Sequence, residues 1–146
     1  MLPIKVKKLR ENAYLPTYET AAAVGADLHA CIDRDIPVEP GQTYFFPTGL
    51  AMEIPVGCAG LIYARSGLSC KKGLAPANKV GVVDSDYRGE VIVALHNHSA
   101  QAVTVSPGNR IAQLVITPVF TPGFYEVSEL SDTQRADAGF GSTGSK

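Results

Sequence analysis

An all-β domain with at most one short helix is what this sequence predicts, on three observations. Short apolar or alternating runs recur along the chain. The 10 prolines and 14 glycines are spread throughout. Runs with helical periodicity are scarce. Many short strands punctuated by turn residues argue for a sandwich or a barrel. Ile4 to Lys8 opens the series, alternating Ile4 and Val6 with lysines as a strand with one solvated face does. Asp27 to Cys31, Thr43 to Phe46, Gly49 to Ile54 and Gly60 to Tyr63 follow as strands, then Val80 to Val83, Val91 to Leu95, Ala102 to Val105 and Ile111 to Val119. Between them stand Glu39-Pro40-Gly41, Pro55-Val56-Gly57, Ser106-Pro107-Gly108 and Thr121-Pro122-Gly123, which are turn chemistry. Ser66 to Lys72 is the best helical candidate, weakened by Gly67.

A length of 146 residues suits one domain with one core. Residues 1–130 are read as that domain. Residues 131–146 are read as a Gly-rich arm, because aliphatic core residues disappear there and Gly139, Gly141 and Gly144 break any register. With 45% apolar and 18% charged residues the chain is an ordinary globular protein. A net charge of -1 supplies no general field for nucleic acid or an anionic membrane, so neither is expected as a partner. No apolar run approaches the ~20 residues a spanning helix needs, and the alternating N-terminus lacks the continuous apolar stretch of a signal peptide. The three cysteines, Cys31, Cys58 and Cys70, are widely spaced and read as reduced thiols of a cytoplasmic protein. His96 and His98 share one face of a strand, but two imidazoles are too few for a structural zinc site, and no role is assigned to them.

The segment Gly81-Val82-Val83-Asp84-Ser85-Asp86-Tyr87-Arg88-Gly89-Glu90 is the densest in chemistry. In an extended chain Asp84 and Asp86 share a face while Val83 turns inward. A carboxylate anchored beside a buried valine is suited to hold a water, and the neighbouring phenol to hold a ring. Ala64-Arg65-Ser66-Gly67-Leu68-Ser69 offers a guanidinium, a hydroxyl and bare backbone, the ingredients of an anion nest. Gly25-Ala26-Asp27-Leu28 puts an acid at a strand start, and Gly108-Asn109-Arg110-Ile111-Ala112-Gln113-Leu114 puts a polar Gln113 inside an apolar run, where a glutamine satisfied by backbone is the usual explanation. In the tail, Phe140 between glycines can lie flat on a planar ligand, and freed backbone N–H groups with the Ser142 and Thr143 hydroxyls can cradle phosphate oxygens. The tail is not a P-loop, since the motif's lysine is missing.

Taken in order, these patches resemble the five motifs of the trimeric dUTPase family, over a stretch from Gly25 to Gly144. Asn78 through Glu90 and Gly139 to Gly144 carry the resemblance most specifically. Relatives often have Gly where Ala136 and Ala138 stand, and many have Asp where Asn109 stands; the alanines would stiffen the arm without touching the chemistry.

The resemblance implies a β jelly-roll or distorted barrel of β-clip type, assembled as a homotrimer with active sites between subunits. It implies hydrolysis of dUTP to dUMP and pyrophosphate with Mg²⁺. Asp84 would be the base that deprotonates water, and Gln113 would orient that water or a phosphate. Arg65, Ser66 and Gly67, with Arg135, Ser142 and Thr143 from the arm, would bind phosphates. Asn78, Gly81, Val83, Tyr87 and Phe140 would receive uracil and deoxyribose, Tyr87 leaving no space for a 2′-hydroxyl. Asp27 would touch metal-bound water or serve the strand end, and Asp86 and Arg88 would form a structural pair that fixes the loop. The rival readings are a dCTP deaminase or bifunctional deaminase-diphosphatase of the same fold, and a nucleotide-binding regulatory protein without turnover.

Overall fold

The computed structural model describes residues 3–134, 136 and 137. Ten strands and one helix follow in the order β1 (Lys5–Lys8), β2 (Ala26–His29), β3 (Ile36–Val38), β4 (Thr43–Glu53), β5 (Cys58–Tyr63), α1 (Ser66–Lys72), β6 (Leu74–Pro76), β7 (Gly81–Val83), β8 (Glu90–Asn97), β9 (Val103–Val105) and β10 (Arg110–Pro118). They form two four-stranded sheets, ordered β1-β4-β8-β6 and β2-β10-β5-β7, and a two-stranded sheet β3-β9. Every recorded ladder is antiparallel. The core lies where the inner faces meet, with Leu28, Phe46, Leu50, Ile54, Leu74, Leu95 and Ile111 fully buried. β8 displays the period of two that builds this core: Val91, Val93 and Leu95 point in, and Ile92 points out.

The two runs read separately as Thr43 to Phe46 and Gly49 to Ile54 are one strand. Its register against β8 slips between Pro47 and Ala51, and Gly49 sits in the slip with φ +69°, a conformation that favours glycine. Side chains satisfy the backbone groups freed there. Thr48 Oγ1 donates to the Val91 carbonyl at 2.6 Å, and Glu90 Oε1 accepts the Gly49 N–H at 2.8 Å. β3 and β6, which each contain a proline, escape the sequence pattern. Pro37 is tolerated because β3 lies in a two-stranded sheet, where an N–H can face away from the ladder at no cost. The helix forms over Ser66–Lys72 as expected, closed by Gly73 at φ 72° with Lys71 and Lys72 in its last turn. Beyond Pro118 the described residues contain no further strand or helix.

Asn97 is fully buried at the end of β8 and ties three segments together. Its Nδ2 donates to the carbonyls of Val38 and Gln101 at 2.8 and 2.7 Å, and its Oδ1 accepts the Ser99 N–H and hydroxyl, both at 2.8 Å. Asn97→Ala leaves the buried Val38 carbonyl without its donor and is expected to cost about 2 kcal/mol in urea unfolding; a loss under about 0.5 kcal/mol would show that the network relaxes around the gap.

Candidate functional site

Strand β7 is too short to hold both acids that follow it. It ends at Val83, and Asp84 begins a turn closed by the Tyr87 N–H to the Asp84 carbonyl at 3.2 Å. The extended reading, with Asp84 and Asp86 on one strand face, is therefore corrected: the chain reverses immediately and lifts Asp84, exposed, to the rim of a cleft. That cleft, of about 240 Å³, opens between β7 and β8, hence between the two large sheets, and its wall includes Asn78, Gly81, Val83, Asp84 and Tyr87. Val83 turns into the core, as expected. A side chain at Gly81 would close the slot, since its Cβ would meet Ile62 Cβ at 3.2 Å and Asn78 Nδ2 at 3.4 Å. Ile62, Glu90 and Ile92 also line the cleft. Glu90 closes the motif segment but was given no role of its own; Ile62 and Ile92 escaped sequence reasoning because they read as ordinary strand residues, and only the pairing of β7 with β5 brings Ile62 alongside Gly81.

Arg88 fixes the turn, but not through Asp86. Its Nη1 donates to the carbonyls of Ser85 and Tyr87 at 2.7 and 2.9 Å, and no ion pair joins it to Asp86 among the described residues. In a tight turn the carbonyls stand closer to the guanidinium than the Asp86 carboxylate does.

A second group lies farther across the sheet that contains β7, on its outer face. Gln113 on β10 faces Asp27 on β2 and Tyr63 on β5 in register, opposite the buried Leu28, Ile62 and Leu114. Gly25 admits the Gln113 side chain, for a Cβ there would lie 2.8 Å from Gln113 Oε1. Asp27 is buried, and both its oxygens are engaged: Oδ1 accepts from Arg65 Nε at 2.8 Å and Oδ2 from Arg110 Nη1 at 3.1 Å. The strand-end, structural role is thus the one its geometry supports. Arg110 also pairs with Glu19 at 2.7 Å, and these acids hold its guanidinium above its ordinary pKa, the hydrogen bond it donates to Asp27 contributing most. Sequence reasoning had no role for Arg110, although its position three residues before Gln113 on the same strand, β10, was a usable signal. Arg65 leads into α1, whose first backbone bonds run from Leu68 and Ser69 to the Arg65 carbonyl. The N–H groups of Ser66 and Gly67, the first two of the helix, have no helical partner.

The register separates the two groups. β5 pairs Gly60 with Val83 on one side and Tyr63 with Gln113 on the other. Val83 and Gln113 are therefore three residues apart along the sheet and two strands apart across it, or about 14 Å. Arg135, Phe140, Ser142 and Thr143 lie outside the described residues. His96 and His98 pack ring against ring at 4.6 Å, and His96 Nδ1 meets the Thr43 hydroxyl at 2.9 Å. Among the described residues no group of three or more His, Cys, Asp or Glu side chains could hold a metal ion.

His29 flanks the Asp27 group. Its ring packs on Tyr14 at 5.1 Å, and its buried Nδ1 has no hydrogen-bond partner among the described residues. Burial, only partly offset by Asp27, lowers its pKa below 6.5. The unfolded chain then takes up the proton first, so the stabilisation is complete above about pH 6.5 and is lost as the pH falls toward the folded-state value. Stability is expected to fall through this window in the native protein and to fall less in His29→Gln; equal slopes in chemical denaturation at pH 7.5 and 5.5 would contradict this.

Comparison with known proteins agrees with the geometry. The sequence model of the dUTPase family matches residues 11–144. A deoxyuridine 5′-triphosphate nucleotidohydrolase of Desulfitobacterium hafniense is 47% identical, with 98% of this chain and 97% of that protein covered. The dUTPase of Staphylococcus bacteriophage 80alpha, solved with dUpNHpp, superposes with a TM-score of 0.86 at 28% identity, covering 99% of this chain and all of that one. A mutant dUTPase from phage phi11 of S. aureus, described with a structural Mg(II) ion, gives a TM-score of 0.78 at 25% identity over 88% of this chain and 98% of that one. With a family match over nearly its whole length, and with the motif residues standing at one cleft and one ion-paired strand face, the chain belongs to the dUTPase family.

Proposed function

We propose that this protein hydrolyses dUTP to dUMP and pyrophosphate, by attack of water on the α-phosphorus. The observation that carries the reading is the gathering of Asn78, Gly81, Val83, Asp84 and Tyr87 around one slot between the sheets. The slot suits a flat base, with Asn78 and the adjoining backbone as hydrogen-bonding edge and Tyr87 against the sugar. Asp84 stands at its rim as the base. It takes a proton from the attacking water while the new P–O bond forms, and the bond to the bridging oxygen breaks with pyrophosphate as leaving group. Donors suited to the phosphates are the Arg65 guanidinium, held by Asp27, and the free N–H groups of Ser66 and Gly67. Gln113 orients water or phosphate. Because phosphoryl transfer asks little covalent help, positioning and electrostatics supply most of the rate.

The reading requires more than one copy of the chain. A base and its water must lie within ~3 Å, whereas Gln113 and the strand leading to Asp84 are separated by about 14 Å of sheet. We therefore assign the site to an interface in a homotrimer, with Asn78, Gly81, Val83, Asp84 and Tyr87 from one protomer and Arg65, Ser66, Gly67 and Gln113 from its neighbour. Residues 131–146 form the closing arm in this scheme, Phe140 stacking on uracil and Arg135, Ser142 and Thr143 completing the phosphate clamp. Extreme exposure of Phe120, Phe124 and Leu130, at 99%, 96% and 88%, supports an assembled state in which that segment is covered.

Mg²⁺ fits the donor set as an ion carried on the triphosphate. It prefers oxygen ligands and keeps much of its water, often with few protein ligands. Both Asp27 oxygens are committed to arginines, so Asp27 acts at most through a water. When bound, the ion neutralises phosphate charge. The free thiols of Cys31, Cys58 and Cys70 fit a reducing compartment, and we place the protein in the cytoplasm. Among the described residues no helix is long and apolar enough to cross a membrane.

Pyrophosphate release with Mg²⁺ should be rapid from dUTP and slow from dCTP, dTTP and UTP, and dCTP should yield no ammonia. Asp84→Asn should keep the fold and nucleotide binding while turnover falls about 10²–10⁴-fold. Near-native turnover would remove Asp84 as base, and ammonia release from dCTP would point to a deaminase.

A further inference from the structure

We propose that Gly89 and Glu90 are specificity-determining positioning residues, which fix the Tyr87 ring where it selects between deoxyribose and ribose. The proposal rests on reading the cleft as a dUTP site. Tyr87 is 45% exposed, and an exposed aromatic at a turn ordinarily samples several rotamers. A ring free to swing aside is a poor wall, because a 2′-hydroxyl would displace it at little cost.

This ring is held at both ends. Its backbone is fixed by the Asp84 to Tyr87 turn and by Arg88 reaching back to the Ser85 and Tyr87 carbonyls. Its tip is fixed by the phenol, which donates to the Glu90 carbonyl at 3.0 Å. That carbonyl is itself anchored, because the Glu90 side chain accepts the Gly49 N–H at 2.8 Å within the β4 slip. Gly49 in turn is closely packed, since a Cβ there would lie 2.8 Å from both Ala13 Cβ and Cys31 Sγ. The phenol end of the ring packs against Gly89, where a Cβ would overlap the phenol oxygen and stand 2.5 Å from Tyr87 Cζ and 3.0 Å from Cε2. Gly89 is thus bare because the ring occupies the place of its side chain. Glycine is not demanded there by the backbone, as Gly89 is not among the positive-φ glycines.

Gly89→Ala is therefore a probe that moves the ring while sparing the fold, since only the end of one side chain must yield. The readout is the ratio of kcat/KM for dUTP to that for UTP, which general destabilisation leaves unchanged because it lowers both terms alike. The ratio is expected to fall about tenfold or more in Gly89→Ala. Tyr87→Phe, which keeps the ring and removes its tether, should shift it in the same direction. The double variant should fall no further than the larger single effect, because both substitutions break one seat. An unchanged ratio in folded Gly89→Ala, or additive effects in the double variant, overturns the proposal. If the native protein releases no pyrophosphate from dUTP, the reading of the cleft fails as well; if it does and the ratio holds, only the role of Gly89 and Glu90 falls.

Discussion

Strand β5 constrains everything else about this site. It is hydrogen-bonded on both sides, to β7 through Gly60, Leu61 and Ile62, and to β10 through all six of its residues. A slip of one position on either side would turn Ile62, Leu114 and Val83 out of the core and bring Leu61, Val115 and Val82 in. The register is thus set by packing, and it has a consequence that packing alone does not demand. It puts the turn bearing Asp84 near one end of β5 and the Asp27, Arg65 and Gln113 group at the other. A gap of that size fits the proposed site shared between two chains.

Each group is rigid for its own reason. Asp27 is buried, and a lone buried carboxylate is costly; two guanidiniums make its burial tolerable, and an isolated bridge to Thr17 fixes its backbone. The arginines are held in turn, Arg65 at Nε and Nη1, so that the remaining edge of its fork is oriented before any ligand arrives. At the other group, rigidity comes from backbone. The turn after Val83, the Arg88 clamp and the Glu90 link to the β4 slip leave Tyr87 little freedom. Preorganisation of this kind is what a reaction dominated by positioning and electrostatics requires.

Much of this was legible in the sequence. Strands with a clean alternation, such as β1 and β8, and the helix at Ser66 to Lys72 are read from pattern and punctuation. The motif residues were legible as types: an acid after an apolar run, a guanidinium beside bare backbone, a glutamine among aliphatics. Their partners were not. Arg65 and Arg110 meet Asp27 across 38 and 83 positions of chain, a relation that only the sheet order supplies. Asp86 and Arg88 looked complementary by charge, yet the turn offers Arg88 nearer oxygens. β3 and β6 were hidden because a three-residue strand containing proline has no period to detect. Joining two runs into β4 depended on recognising Gly49 as a slip rather than a break.

The claim that the two groups act together only across protomers is tested most directly by complementation. Arg65→Ala and Asp84→Asn proteins, each inactive alone, are unfolded together, refolded as mixed oligomers, and assayed for pyrophosphate release from dUTP. Shared sites predict recovered activity, because some interfaces then join an intact Arg65 group to an intact Asp84 turn. Mixed oligomers that form and remain as inactive as the parents would show that each chain carries its whole site.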